Sequence, residues 1–273
     1  MIGGGQGKGE LRALLQRHGH RPNKALGQHF LADPNVVDRI VRAAEVGPGD
    51  RVVEVGAGTG TLTAALAATG AAVVAFEIDR HLETLLMEAV GSLAVELRFE
   101  SATPHAISGL GAGPWTMVAN LPYNVGTPLV LDLLQSNADV VRYVVMVQTE
   151  VADRLAAGPG SRRYGVPSVI AGLYGEVRTL FPVAPTVFFP PPDVDSAVVE
   201  IVRRRDVPDL AAAAVRLASI AFGQRRKMLR GSLASEFDDP IAVLESAGID
   251  PTARPETLEP ERFLRLADVA GAA

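Results

Sequence analysis

The sequence contains no cysteine, so disulfide bonds and thiolate metal sites are excluded. A chain without disulfides fits a reducing compartment, which favours the cytoplasm. No apolar run approaches the roughly 18 residues that a membrane helix needs. The N-terminal stretch MIGGGQGKGELRALLQRHGHRPNK also lacks the apolar segment of a secretory signal. These absences predict a soluble, cytoplasmic protein without a membrane partner.

An excess of positive charge is also lacking, because the formal net charge is −5. Taken alone, this balance argues against nucleic acid as a partner, but the charges are unevenly distributed. Residues 1–30 hold five basic residues and one acid, whereas residues 31–150 hold six basic residues and fourteen acids. The later basic residues form clusters, namely Arg162 with Arg163, Arg203–Arg205, and Arg225–Lys227 with Arg230. Such patches can present a positive face to phosphates, although a single cluster is more often a solvated surface.

Apolar runs typical of buried strands alternate with helical patterns up to about residue 150. The predicted strands cover 51–56, 71–77, 94–99, 115–119 and 140–148, with helices over 61–69 and 80–90 and after Thr127. This alternation predicts an α/β fold with a mostly parallel sheet. A helix running into a strand is expected over 168–181, and a proline-rich loop over 188–202 leads into a final strand. Beyond residue 203 the helical patterns predict a small C-terminal helical domain.

The stretch VEVGAGTGTLT, residues 53–63, places three glycines where a buried strand turns into a helix. Glycine is needed where a loop turns sharply and a ligand approaches bare backbone. Dinucleotide-binding loops use a similar pattern, but they require a glycine at the position of Thr61. The next strand ends in Glu77, whose carboxylate can hold both hydroxyls of a ribose. The two features together indicate a bound nucleoside.

A second motif, Asn120-Leu121-Pro122-Tyr123, follows the predicted strand at 115–119. Asparagine and proline are common turn formers, so one interpretation is a plain turn. The other interpretation is a site that grips a flat base for chemistry. Asn120 and the Leu121 carbonyl can accept hydrogen bonds from an exocyclic amine, Pro122 can fix the loop, and Tyr123 can stack on the base.

The glycine loop with Glu77 resembles that of class I S-adenosylmethionine-dependent methyltransferases, and Asn-Leu-Pro-Tyr resembles their motif for methylating exocyclic amines. Further stretches point to one family, namely KALGQHFL (24–31), AGPGSRRYG (157–165), FFPPPDVDSAVV (188–199) and AFGQRRKMLRGSL (221–233). In this order they are similar to the ribosomal RNA adenine dimethyltransferases of the small-subunit type. The similarity begins near Lys24, and it implies a Rossmann-like sheet with helices on both faces.

The resemblance also implies roles for individual residues. Phe188 matches the family aromatic that closes the far side of the target adenine, with Phe189 as a core neighbour. The catalytic residues would be Asn120, Leu121, Pro122, Tyr123 and Phe188. The cofactor, S-adenosyl-L-methionine, would contact Gln28, His29, Leu31, Gly56, Gly58, Glu77, Ser101 and Asn120. RNA would be gripped by Arg203, Arg204, Arg205, Arg225, Arg226, Lys227 and Arg230.

Three regions are expected, namely a flexible basic tail over 1–22, a methyltransferase domain over 23–203 and a helical RNA-binding domain over 204–273. The tail is weakly amphipathic at Leu11, Leu14 and Leu15, which predicts that it ends in a short helix. The implied reaction is the dimethylation of two adjacent adenines in a small-subunit rRNA hairpin, within a pre-ribosomal small subunit. The protein is expected to act as a monomer. No metal is expected, because His18 and His20 are more typical of a solvated segment than of a ligand pair.

Two positions depart from the family pattern. His29 stands where many relatives have asparagine, and either side chain can form a hydrogen bond. Ser101 stands where relatives have an aspartate that accepts a hydrogen bond from the cofactor's adenine amine. A serine hydroxyl can still accept, directly or through water. A loop shifted by one residue would place Glu100 there instead, and this alternative stays open.

Two other functions remain open at this point. Enzymes of the macrolide-resistance type modify large-subunit rRNA on the same fold, although the PPPDVDS and GQRRK stretches favour the small-subunit type. A ribosome-assembly or transcription factor without catalysis is the second alternative, and the intact Asn120–Tyr123 motif and Glu77 argue against it.

Overall fold

Nine strands among the described residues build the fold. A computed structural model describes residues 7–122 and 126–272. Its strands are β1 (Phe30–Leu31), β2 (Arg51–Val55), β3 (Ala72–Phe76), β4 (Val95–Arg98), β5 (Trp115–Asn120), β6 (Val140–Gln148), β7 (Gly175–Val183), β8 (Phe188–Phe189) and β9 (Ser196–Arg203). Seven of them form one sheet in the order β4-β3-β2-β5-β6-β9-β7, and β1 pairs with β8 separately.

Helices follow most of these strands. They are α1 (Lys8–Arg17), α2 (Pro34–Ala44), α3 (Thr61–Ala67), α4 (Glu83–Val90), α5 (Pro104–Ser108), α6 (Gly126–Ser136), α7 (Thr149–Leu155), α8 (Val166–Tyr174), α9 (Ala211–Gly223), α10 (Leu229–Ser232), α11 (Pro240–Ser246) and α12 (Pro260–Ala272). Within the same residues, no helix combines the length and the apolar character that a membrane crossing needs.

The sheet is parallel over its first five strands, and the sixth strand, β9, runs antiparallel to the fifth. The pairs β3–β4, β2–β3, β2–β5 and β5–β6 are parallel. β9 pairs antiparallel with β6. β2 and β3 are buried at every position after the first, as expected for central strands covered on both faces. The predicted Rossmann-like α/β fold is therefore confirmed.

The first of two compact units consists of Met1–Ala152 and Arg178–Val202. Within it, α1 buries Leu11, Leu14 and Leu15 against a cluster that includes Phe30 and Leu85. Leucines at this spacing lie on one face of a helix, so burying them fixes the helix. The short helix predicted within residues 1–22 is therefore present, and the structure differs from a flexible tail because the segment from Lys8 to Arg17 is packed.

The second unit consists of Asp153–Val177 and Arg203–Ala273. Inside it, α8 and α12 pack on α9, and the Tyr164 hydroxyl donates a hydrogen bond of 2.7 Å to the Leu258 carbonyl. The centre of the Phe222 ring lies 5.9 Å from the centre of the Tyr164 ring and 6.3 Å from that of Phe263. The predicted division, 23–203 and 204–273, differs from these two units because residues 153–177 group with the C-terminal helices. The apolar face of α8 packs on helices that follow it by about forty residues or more in the sequence.

Candidate active site

The glycine loop lies between the end of β2 and the start of α3. Gly56, Gly58 and Gly60 have φ angles of 78°, 58° and 77°, which other residues rarely adopt. A Cβ on Gly60 would lie 2.8 Å from the Leu86 Cδ1 atom, and a Cβ on Gly58 would lie 3.1 Å from the Phe30 ring. The loop therefore requires glycine for its backbone conformation and for its close packing.

Glu77 follows β3 and turns its carboxylate toward the glycine loop. Its Oε2 atom accepts a hydrogen bond of 2.8 Å from the Gly58 N–H, and its Oε1 atom accepts one of 2.8 Å from the Asp79 N–H. Burial raises the pKa of Glu77 above its ordinary value, although both N–H groups oppose this shift. Each carboxylate oxygen can accept more than one hydrogen bond, so hydroxyl groups of a ligand can bind beside these N–H groups.

Asn120 ends β5 and is oriented by a neighbouring carbonyl group. Its Nδ2 group donates a hydrogen bond of 3.1 Å to the His29 carbonyl oxygen. The Oδ1 atom is therefore turned away from that carbonyl and can accept a hydrogen bond from a ligand. His29 is held in turn, because its Nδ1–H donates to the Pro190 carbonyl oxygen at 2.8 Å.

One cavity of about 180 Å³ collects most of the predicted cofactor and catalytic residues. The predicted residues that line it are Gln28, His29, Gly56, Gly58, Glu77, Ser101, Asn120, Leu121 and Pro122. They come from the segment before β1 and from the carboxyl ends of parallel strands, where α/β proteins bind ligands. Glu100 lines the same cavity, so the choice between Glu100 and Ser101 stays open.

Two of the predicted residues that the structure describes, Leu31 and Phe188, lie outside this lining. Leu31 lines a smaller adjoining cavity of about 30 Å³. Phe188 is only 1% exposed and belongs to the apolar core of the first unit. Its ring therefore presents no face to a base in this structure, and stacking on it requires the surrounding packing to change. Tyr123 lies outside the described residues.

Phe189, expected in the core, is instead partly exposed. The guanidinium carbon of Arg12 lies 5.6 Å from the centre of its ring. Phe188 and Phe189 pair with Leu31 and Phe30 across β1 and β8, and successive residues of a strand point to opposite faces. The alternation decides which ring is buried, and the sequence FFPPP alone does not reveal it.

Glu54 is a candidate site residue that the sequence analysis missed. It lines the smaller cavity with Leu31 and Gly58, and it is only 1% exposed. Its Oε2 atom has no hydrogen-bond partner among the described residues. Burial raises the pKa of Glu54 to about 8, and the charge of Glu77 adds to this shift. The neighbouring Thr63 hydroxyl opposes the shift, although it makes no well-formed hydrogen bond with the described residues. The signal was present in the sequence, because an acid inside the apolar strand RVVEV is unusual.

All seven predicted RNA-binding residues lie in the second unit, and their surroundings differ. Arg225 is held within the unit by Glu256, at 3.1 Å, and by the carbonyl oxygens of Ser161 and Arg162. Five others are exposed, namely Arg204, Arg205, Arg226, Lys227 and Arg230. The Arg203 guanidinium carbon lies 5.7 Å from the centre of the Tyr174 ring. Across residues 7–122 and 126–272, no group of three or more histidines or acids is arranged to hold a metal.

Comparison with known proteins places the chain in one family. A family model described as ribosomal RNA adenine dimethylase matches residues 19–271. The ribosomal RNA small subunit methyltransferase A of Nocardia farcinica is 46% identical over 275 residues, covering 96% of this chain and 94% of that protein. The protein of the same name from Leifsonia xyli is 45% identical over 271 residues, covering 96% of this chain and 97% of that protein.

Two solved structures share the fold of this chain. A dimethyladenosine transferase from Plasmodium falciparum has a TM-score of 0.75 at 25% identity, covering 87% of this chain and 96% of that one. The 23S rRNA methyltransferase ErmE has a TM-score of 0.68 at 24% identity, covering 89% and 99%, and supports the fold alone. Since the family model spans most of the chain and the relatives match it nearly end to end, this chain belongs to the ribosomal RNA adenine dimethylase family.

Proposed function

We propose that the protein uses S-adenosylmethionine to dimethylate the N6 amines of two adjacent adenines in a small-subunit rRNA hairpin. The observation that carries this proposal is the cavity that joins the glycine loop and Glu77 to the Asn120–Pro122 segment. The substrate would be a pre-ribosomal small subunit, and the protein would act on it as a monomer.

The residues around the cavity fit the cofactor. The glycine loop leaves bare backbone where a side chain would collide with Phe30, and Glu77 lies where it can hold ribose hydroxyls. The Glu54 Oε2 atom, which has no hydrogen-bond partner in the part of the chain that the structure describes, offers one to the cationic amino group of the methionine end. When bound, S-adenosylmethionine supplies an electrophilic methyl group next to a positively charged sulfur.

Asn120 and Leu121 would prepare the adenine amine for attack. The lone pair of this nitrogen is delocalised into the ring, so the amine is a weak nucleophile. Asn120 Oδ1 and the Leu121 carbonyl oxygen can accept hydrogen bonds from the two N–H groups of this amine and thereby favour a pyramidal nitrogen. In-line attack then depends mainly on positioning, and the alkylated amine loses its proton to water without a dedicated base.

The target base must leave its stack to reach this cavity. Tyr123, and Phe188 after a local rearrangement, would then hold the ring between them. The exposed cations Arg204, Arg205, Arg226, Lys227 and Arg230 would bind the phosphate backbone around it.

Labelled methyl transfer to undermethylated small subunits, large subunits and naked rRNA, measured side by side, tests this function. We expect transfer to small subunits and expect Asn120→Ala to reduce it to background. Preferred transfer to large subunits would instead indicate the macrolide-resistance type. Cofactor binding without transfer to any substrate would indicate an assembly factor.

A further inference from the structure

A groove separate from the cofactor cavity runs between α1 and β8. It encloses about 420 Å³, and its lining includes Arg12, Gln16, His20, Arg21 and Phe189. We call it the α1 groove. Neither the glycine loop nor the Asn120–Pro122 segment lines it, so the reaction proposed above leaves this groove unexplained.

The walls of the α1 groove are fixed by packing on both sides. The leucines of α1 are buried on the face opposite its exposed residues, which holds the helix against β8. Phe189 is held by its pairing with Phe30 across the short sheet. The Arg12 guanidinium lies over the Phe189 ring at 5.6 Å, a cation–π distance. A cation and an aromatic ring are thus placed together before any ligand binds.

The charge of the α1 groove suits an anionic ligand. Arg12 and Arg21 are exposed there, and no acid is among the described residues that line it. Asp79 is the acid next to His20, at 4.0 Å, and its carboxylate already accepts hydrogen bonds from Gln28 and His81. Both arginines belong to residues 1–30, where basic residues outnumber acids, whereas acids outnumber basic residues over 31–150.

The α1 groove also lies next to the proposed site of methylation. Phe189 follows Phe188, the residue expected at the target base, and Pro190 accepts the hydrogen bond from His29 in the cofactor cavity. Proteins bind single-stranded nucleic acid with basic grooves that carry aromatic rings, because phosphates meet the cations and bases stack on the rings. Resting on the proposed function, we propose that the α1 groove binds the RNA nucleotides flanking the target adenine.

Arg12→Ala and Arg17→Ala provide a matched pair of variants to test this inference. Both arginines lie on α1, but Arg17 is 65% exposed and pairs with Glu88, outside the groove lining. Binding is measured over a range of salt concentrations with a short single-stranded RNA containing two adjacent adenines. We expect Arg12→Ala to weaken binding several-fold and to reduce the slope of log K against log salt by about 0.7, and Arg17→Ala to leave that slope unchanged.

Phe189→Leu tests the aromatic wall of the α1 groove while keeping apolar volume. Loss of one stacked base should weaken binding of the same RNA about tenfold. Cofactor affinity by calorimetry should stay unchanged in all three variants, which shows that the fold and the cofactor cavity remain intact. If Phe189→Leu fails to fold, the Arg12 and Arg17 variants still decide the question, because both change exposed side chains.

Three results would overturn the inference. Equal losses in Arg12→Ala and Arg17→Ala would indicate general electrostatic attraction. Unchanged RNA binding in Arg12→Ala would remove the proposed contact. Weaker binding to small subunits with unchanged binding to the short RNA would indicate a protein partner. Wild-type methylation of small subunits, measured in parallel, separates this inference from the proposed function, which fails only if the wild type is inactive on them.

Discussion

Glu54 carries a carboxyl group that is buried in β2, and this burial makes the free energy of unfolding depend on pH. Its pKa is about 8 in the folded chain, against an ordinary value of 4.5, because burial disfavours the charged form. The folded state retains a proton that the unfolded state releases between these values. The stabilising contribution of protonated Glu54 is therefore full below the unfolded pKa and is lost as the pH rises through the folded pKa.

We expect Glu54→Gln, which keeps the shape without the titration, to be increasingly more stable than the parent as the pH rises. The gain between about pH 5 and about pH 8 should be on the order of a few kcal/mol. Denaturant unfolding of the cofactor-free protein at several pH values measures it. Glu83→Gln, at an exposed position of α4, is the control. A difference that does not vary with pH would contradict the raised pKa.

Ser101 and Glu100 give a second prediction for single residues, since both line the cofactor cavity. We expect Ser101→Asp to tighten S-adenosylmethionine binding several-fold, because a charge-assisted hydrogen bond exceeds a neutral one by about 1 kcal/mol. Glu100→Ala should change the affinity little. Calorimetry on both variants decides the matter, and a large loss in Glu100→Ala with no gain in Ser101→Asp would assign the contact to Glu100.

The sequence reveals some of these residues and not others for a physical reason. Gly56, Gly58, Glu77 and Asn120 each follow a recognisable strand, and the carboxyl ends of parallel strands meet at one edge. Their convergence in one cavity was therefore predictable. The burial of Phe188 depends on which way each side chain of β8 faces, a tertiary property that the sequence pattern does not contain.

At the scale of secondary-structure elements, a charge cluster around one buried carboxylate joins three strands near the edge of the sheet. Glu200 of β9 is 2% exposed and accepts hydrogen bonds from Arg142 of β6, at 2.6 and 2.9 Å, and from Arg178 of β7. Burial alone would raise its pKa, but the two arginines lower it below the ordinary value. Both pairings of β9 thus share one carboxylate.

We expect Glu200→Ala to lower the free energy of unfolding by roughly 1–3 kcal/mol, because two guanidinium groups lose the carboxylate that they share, while Arg142 keeps Glu45 and two backbone carbonyls. Glu45→Gln is the matched control, since Glu45 pairs with the same arginine but is 72% exposed, and it should cost less than about 1 kcal/mol. Denaturant unfolding measures both. Equal losses in the two variants would show that burial does not strengthen the Glu200 contacts.

Element predictions from sequence succeeded where the pattern was local. The strands at 51–56 and 71–77 were evident from apolar runs bounded by glycine or by charged residues. The packing of α1 and the grouping of α8 with α9 and α12 were missed, since each depends on contacts with residues distant in the sequence. A weakly amphipathic segment is equally compatible with a solvated tail until its partner surface is known.

At the scale of the whole molecule, the net charge of −5 makes the proposed RNA binding depend on clusters of exposed cations. Replacing Arg226 and Lys227 together by alanine should weaken binding to small subunits and reduce the salt slope by roughly one per side chain. Arg225→Ala should chiefly lower stability, because that guanidinium is engaged by Glu256 and by backbone carbonyls. Filter binding across salt concentrations measures the first effect, and thermal unfolding the second. An unchanged slope in the double variant would place the RNA contact elsewhere.

The two compact units are interleaved along the chain, which constrains how the nascent protein folds during translation. Residues 153–177 leave the ribosome before β9 completes the first unit, yet α8 packs on α9 and α12, which are made later. At about 5–20 residues per second, the wait between α8 and α12 is on the order of ten seconds. Throughout that interval α8, whose buried residues include Val169 and Leu173, lacks part of the surface on which it packs, so we expect a chaperone to protect this segment. For the same reason, truncation after residue 203 does not isolate the first unit, because it leaves α8 without α9 and α12.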